Sequence, residues 1–231
     1  MGTLTIENPI TLHSPKAGAT KWIRKDTPQR IDKKTGEPKE RVVLEKKGNL
    51  VKVATSKGVE EILILRPSEF KQIYAACDRR HQVILSSLLF TGMRYQELIR
   101  FREHPEWFDK KQFIKLPPGS GQKKVKRSAP ERWIRLSYRG REAVQSLFDY
   151  QLPSNNSINQ YLAYNFDIKN FSLKSLRKTY ESWLVFYYPE HQLQVSMSQG
   201  HTIITQIRHY LNLPFTEQDK LEMKEFVEGW V

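Results

Sequence analysis

The chain has 231 residues, 39% apolar and 27% charged, with 10 Tyr, 11 Phe and 5 Trp; that bulk argues against wholesale disorder but leaves open one domain or two. Lys and Arg outnumber Asp and Glu by 38 to 25, a formal charge of +13, so polyanions are attracted and nucleic acid is the default partner, although a merely soluble basic protein has the same balance. The single cysteine, Cys77, excludes an intrachain disulfide and a cysteine-based zinc site within one chain, and with neither a membrane-length apolar run nor a secretory leader in MGTLTIENPITLHS the expectation is a cytoplasmic protein off the membrane.

Residues 1–64 read as a basic N-terminal arm or small β-rich extension. Pro, Gly, Lys and Thr are frequent there, and through residue 60 the chain carries 13 Lys+Arg against 7 Asp+Glu, 13 − 7 = +6. Alternation predicts short strands at 41–44, 50–53 and 61–64, with a turn at Lys47-Gly48-Asn49. From residue 65 the texture turns helical. Ser68 suits an N-cap, followed by Phe70, Ile73, Tyr74 and Cys77 at helical spacing. The stretch 81–90 is almost wholly apolar, so it predicts a helix at the centre of a domain, ended by Thr91-Gly92, with a third helix from about Arg94.

Two short strands, 112–116 and 132–136, flank PPGSGQKKVKRSAP, an extended hairpin with a basic tip. Helices are predicted near 139–149, 157–164, 172–187 and 203–210, the third opened by Ser172 and closed by Pro189. A last helix over 216–230 starts at a capping box, Thr216 with Asp219, and aligns Met223, Phe226, Val227 and Trp230 in one apolar stripe. That stripe suits docking on a neighbouring protomer or packing back on its own domain.

Three stretches suggest chemistry. Gly92 allows a sharp turn, and Arg94 then stands at a helix start, where free N–H groups and the dipole favour an anion; a corner with Arg94 simply paired to Glu97 fits the residues as well. Spacing of three puts Lys174 and Arg177 in the first turns of one helix, on one face opposite Leu173, Leu176, Tyr180 and Leu184, either converging on a phosphate or simply solvated. Gly200-His201 is followed nine residues later by Tyr210. A phenolate can attack a phosphodiester and leave again, keeping the bond energy in an ester, but Tyr210 could equally be a packed side chain.

Together these stretches resemble the boxes of the tyrosine recombinases, or phage-type integrases. TGMRYQEL at 91–98 is similar to the family's TG-x-R-x-x-E-L, KSLR at 174–177 to its H-x-x-R, and GHTIITQIRHY at 200–210 to its G-H-x(8)-Y, in the family's order. Lys174 stands where His is usual, a variant that resembles integrases of archaeal spindle-shaped viruses. The resemblance spans residues 65–231 and implies a mainly α fold with a small antiparallel β-sheet, the family's catalytic domain. It departs from the family in the 64 non-helical residues that stand where a helical clamp domain is usual.

The resemblance implies a site-specific DNA strand transferase for integration or excision of a viral or plasmid genome, with Tyr210 forming a 3′-phosphotyrosyl link. Arg94 and Arg177 would stabilise the phosphate, and Glu97 would orient Arg94 or a neighbouring backbone group. A hairpin lysine would protonate the leaving 5′ oxygen: Lys126 first, then Lys124, with Lys123 also in range. His201 would hydrogen-bond the phosphate or assist proton removal, and Lys174 would neutralise charge. No cofactor and no metal are implied. The partner would be double-stranded DNA at attachment sites, with self-association to a tetramer on DNA from a monomer in solution. A type IB topoisomerase has a similar site, and a catalytically silent DNA-binding module is the rival from another class.

Overall fold

The computed structural model describes residues 6, 9–15, 20–29, 31, 36–38, 43–54, 59–120, 131–200 and 213–231. Among them the architecture is mainly helical with three small sheets. Two compact units form, Thr11–Ile62 on one hand and Met1–Ile10 with Leu63–Val231 on the other. None of the described helices is long and apolar enough to cross a membrane.

The smaller unit holds all or most of strands β1 (Ile10–Pro15), β2 (Thr20–Arg24), β3 (Val43–Lys47), β4 (Leu50–Ala54) and β5 (Val59–Ile64), with Ile10, Leu63 and Ile64 falling in the larger one. β4 is the middle of an antiparallel sheet ordered β2-β4-β3, and β1 pairs with β5. The expected alternation is visible in β4: Val51 and Val53 are buried, while Lys52 lies opposite Trp22 and bridges Glu45 at 3.5 Å. The turn after β3 falls at Gly48-Asn49, with Gly48 at φ 56°. Part of the predicted strand at 41–44 lies outside the described residues, and β3 runs on to Lys47. Sequence reading gives neither β1 nor β2. In β2 Trp22 and Ile23 are adjacent and project to opposite faces, so no period of two marks the strand.

The helices of the larger unit begin with α1 (Pro67–Ala76), whose N-cap is Arg66 rather than Ser68. Pro67 takes the first helical position, where its fixed φ and missing N–H cost nothing, and Glu69 accepts the Arg66 N–H at 2.6 Å. Helix α2 (Arg79–Thr91) is capped by Asp78, which accepts from the His81 N–H at 3.0 Å, and every residue from Val83 to Thr91 is buried. Its hydroxyls survive burial because each bonds a carbonyl: Ser86 to Gln82, Ser87 to Ala143 and Thr91 to Ser87.

There follow α3 (Tyr95–Glu103), the antiparallel pair β6 (Phe113–Leu116) and β7 (Arg132–Arg135), α4 (Tyr138–Leu147), α5 (Asn155–Asn165), α6 (Leu173–Tyr187), α7 (Gln192–Gln199) and α8 (Glu217–Val227). The segment 203–210, predicted to be a helix, lies outside the described residues, and no sequence pattern predicts α7. Helix α2 packs between α4 and α6, and α8 closes over α6, α4 and α1. The capping box of α8 forms as expected, Thr216 accepting from Asp219 N–H at 3.1 Å and Asp219 accepting from Thr216 N–H at 2.7 Å. Its stripe of Met223, Phe226, Val227 and Trp230 is buried in its own unit.

Helix α6 departs from the expected one-sided helix. Leu173 and every residue from Ser175 to Val185 are buried, Arg177, Lys178 and Glu181 included. A helix enclosed on all sides must satisfy its polar groups internally, and here Thr179 Oγ1 accepts the Leu65 N–H while Trp183 Nε1 donates to the Leu65 carbonyl, both at 2.9 Å. The α6–α8 seam is aromatic: Phe226 lies 5.1 Å from Trp183 and 5.9 Å from Phe70 between ring centroids. Phe226→Ala should therefore cost about 3–5 kcal/mol of stability, read as a lower urea midpoint; an unchanged midpoint would mean that α8 adds nothing to this core.

Candidate functional site

Three stretches distant in sequence meet at the α2–α3 corner. Gly92 ends α2 with φ 57° and ψ 21°, its N–H bonded to the carbonyls of Leu88 and Leu89 at 3.0 and 3.2 Å. A Cβ there would lie 2.0 Å from Gln199 Oε1, so a left-handed turn and a close neighbour both demand glycine. Gln199 and Gly200, at the end of α7, are thereby packed against the corner.

Arg177 fastens this contact. It is 5% exposed, its Nη1 donates to the Gly92 carbonyl and its Nη2 to the Gln199 carbonyl, so one guanidinium from α6 spans the two turns. Burial pushes its pKa down to about 10, and Arg132 and Arg94 push the same way against Glu181 and Glu97. It remains a cation at neutral pH. The spacing of Lys174 and Arg177 allows either convergence on a phosphate or a solvated face, and the structure gives the two unequal surroundings: Lys174 is exposed, Arg177 is buried, and so is the next cation, Lys178, 3.2 Å from Glu181. The enclosed position of α6 is the reason.

Arg94 is the N-cap of α3, with its side chain 54% exposed. One anion at this helix N-terminus comes from the helix itself. Glu97 Oε2 accepts the Arg94 N–H at 2.8 Å, and Oε1 accepts from Arg94 Nη1 at 2.8 Å. Glu97 thus orients Arg94 as expected, and the remaining exposed part of that guanidinium is what a ligand could meet.

Glu97 itself is fully buried and is the meeting point of three guanidiniums. Arg132, from β7, grips it with a fork, Nη2 to Oε2 at 2.7 Å and Nη1 to Oε1 at 3.2 Å, and Arg177 Nη1 stands 3.9 Å from Oε2. Burial by itself would push this carboxyl up; Arg132, the Arg94 N–H, Arg177 and Arg94 outweigh it and hold the group below the usual carboxylate range. With Lys178 and Glu181 added, the cluster has, among the described residues, four cations and two carboxylates, 4 − 2 = +2. It is a place suited to a further anion.

Sequence reading missed Arg132 and Gln199. For Arg132 a signal existed: it shares strand parity with Ile134 and Leu136, which are fully buried, while Trp133 between them is exposed. An arginine in step with core residues needs a buried carboxylate. The remaining expected site residues, Lys123, Lys124, Lys126, His201 and Tyr210, lie outside the described residues. The hairpin strands that flank 121–130 are described, as is Gly200, with φ 66°, immediately before His201.

No family model matches the chain, and neither does any curated protein. Among solved structures it is similar to the Tn1549 transposon integrase, residues 82–397, in complex with circular intermediate DNA, with a TM-score of 0.49 and 15% sequence identity. The similarity covers 70% of this chain and 66% of that one, just under two thirds of its length.

A carboxylate whose folded pKa is lowered contributes stability above its unfolded pKa of about 4.3 and loses it as pH falls through the folded value. Glu97→Gln should accordingly lower the melting temperature at pH 7, with the gap to wild type closing in acid below pH ~4. A gap that stays constant down to pH ~3 would show that the Glu97 charge does not matter to folding.

Proposed function

We propose that the chain is a site-specific DNA recombinase of the tyrosine type. The observation that carries this reading is the convergence of Arg94 and Arg177, from the first two sequence boxes, on one buried carboxylate. Arg177 also bonds Gly92, 85 residues away, and Gln199, beside the third box. Cations fixed in advance, with excess positive charge and one exposed guanidinium, suit an in-line attack on a phosphodiester, whose non-bridging oxygens gain charge in the transition state.

In this reading Arg94 meets the scissile phosphate directly, through the part of its guanidinium that Glu97 does not use. Arg177 contributes field and architecture more than a free fork, since its Nη1 and Nη2 each serve a main-chain carbonyl. Tyr210 attacks phosphorus and releases the 5′ oxygen, which takes its proton from Lys126 or Lys124; attack by that 5′ hydroxyl on the phosphotyrosine reverses the step. His201 hydrogen-bonds the phosphate or relays the tyrosine proton. Lys174, exposed at the start of α6, adds a cation near the strand without accepting that proton.

Residues 65–231 would act as the catalytic domain and 1–64 as a basic arm on the duplex, in a reducing cytoplasm. Integration or excision of a viral or plasmid genome, of the archaeal spindle-shaped virus kind that Lys174-x-x-Arg177 resembles, is the finer part of the proposal. So is a tetramer on paired sites. The α8 stripe is buried within its own unit, and exchange between protomers would first have to lift it.

The decisive experiment is trapping. A nicked suicide duplex carrying the attachment site should yield a covalent 3′-phosphotyrosyl adduct with wild type and none with Tyr210→Phe. Relaxation of arbitrary supercoiled plasmid without strand exchange would point to a type IB topoisomerase instead. DNA binding with no adduct on any cognate site would mean a silent binding module. Binding itself should weaken steeply with salt, by about 0.9 in log–log slope per phosphate neutralised.

A further inference from the structure

Arg132 grips Glu97 from a strand that lies outside all three sequence boxes. It is 7% exposed and therefore has almost no surface with which to meet a ligand. Its contacts all run inward to separate parts of the unit. Both terminal nitrogens hold Glu97, at 2.7 and 3.2 Å. Its aliphatic end and guanidinium lie under Gly200: a Cβ on that glycine would stand 3.1 Å from Arg132 Cδ and 3.3 Å from Nη1. Its Nε is buried and finds no hydrogen-bond partner among the described residues. A bond left unmade among the described residues on a buried charged group is a cost, and it falls where β7, the α3 N-terminus and the α7 C-terminus meet.

From this juxtaposition we infer that Arg132 is a positioning residue for the anion site, fixing Glu97, and through it Arg94, while serving as the floor on which Gly200 rests. The inference rests on the recombinase reading only for what the site finally does. The positioning itself is a property of the fold. A planar fork holds a carboxylate in one plane, whereas an ammonium holds it by a point charge, so Lys cannot replace Arg here. Gly200 is bound to the same device, because at φ 66° any side chain is strained and would also press on Arg132.

The test uses the full chain with Arg132→Lys and Arg132→Met, and Gly200→Ala alone and combined with Arg132→Lys. Two readouts separate the inference from the recombinase reading. The first is hydrogen exchange at the Arg94 amide, which donates to Glu97 Oε2 at 2.8 Å: it should quicken at least about 10-fold in Arg132→Lys, while amides in the middle of α2 keep their wild-type rates. If Arg132→Met fails to fold, Arg132→Lys still reads this. The second is DNA. On a fluorescent generic duplex Arg132→Lys should keep the wild-type salt slope, whereas Arg94→Ala should lose about 0.9 of it; adduct formation on the nicked substrate should slow by up to about 100-fold in Arg132→Lys with duplex affinity nearly unchanged.

Gly200→Ala should slow adduct formation too, and by less in the Arg132→Lys background than in wild type, since the two changes disturb one contact. Unchanged Arg94 exchange in Arg132→Lys would overturn the inference whatever the DNA assays show. So would a lowered salt slope in Arg132→Lys, which would make Arg132 a direct phosphate contact. A wild-type protein that forms no adduct, with Arg94 exchange quickened in Arg132→Lys, would leave the positioning role standing and remove the recombinase reading alone.

Discussion

The structure around the α2–α3 corner depends on one buried carboxylate. Glu97 is fully enclosed, and a charge in that position is tolerable only because guanidiniums from a helix cap, a hairpin strand and the central helix surround it. The dependence is mutual. Arg132 and Arg177 are buried cations that would repel each other without it, and the direction of the Arg177 pKa shift records both the burial and that repulsion. Such a cluster gives little net stability compared with an apolar core, and its value lies in the geometry it enforces. Breaking any one member leaves an uncompensated charge for the others.

Arg177 performs a second task that a surface arginine could not. By bonding the carbonyls of Gly92 and Gln199 it converts two helix ends into one joint. Gln199 fills the space that a Cβ at Gly92 would need, so the glycine, the glutamine and the arginine form one packing unit. The outcome is a rigid base beneath Arg94, the only arginine of the three with much exposed surface. Preorganisation of this kind would serve the phosphoryl transfer proposed above, since little energy is then spent turning dipoles during a reaction.

Away from the site, the larger unit is organised by enclosure of α2 and α6 and by the return of α8 over them. The aromatic seam of Phe70, Trp183 and Phe226 ties the last helix to the first. It also explains why the α8 stripe shows so plainly in the sequence: a helix that covers a core from one side has one apolar side. The smaller unit follows a different rule, an antiparallel sheet with Val51 and Val53 inward and Trp22 and Lys52 on its open face.

What the sequence determined alone is whatever depends on neighbours along the chain. The apolar run of α2, the glycine that ends it, the Thr216–Asp219 capping box and the stripe of α8 are short-range patterns, and each was legible because helix periodicity and caps are local. Glu97 as the orienting partner of Arg94 was legible for the same reason, being three residues away on one turn. The tertiary structure decided what periodicity cannot encode: that Arg177 lies inside rather than on a face, that Arg132 reaches Glu97 from 35 residues away, and that Gln199 fits against Gly92. Burial of a charge is settled by what closes over it, and those residues come from other elements at distances that no local pattern records.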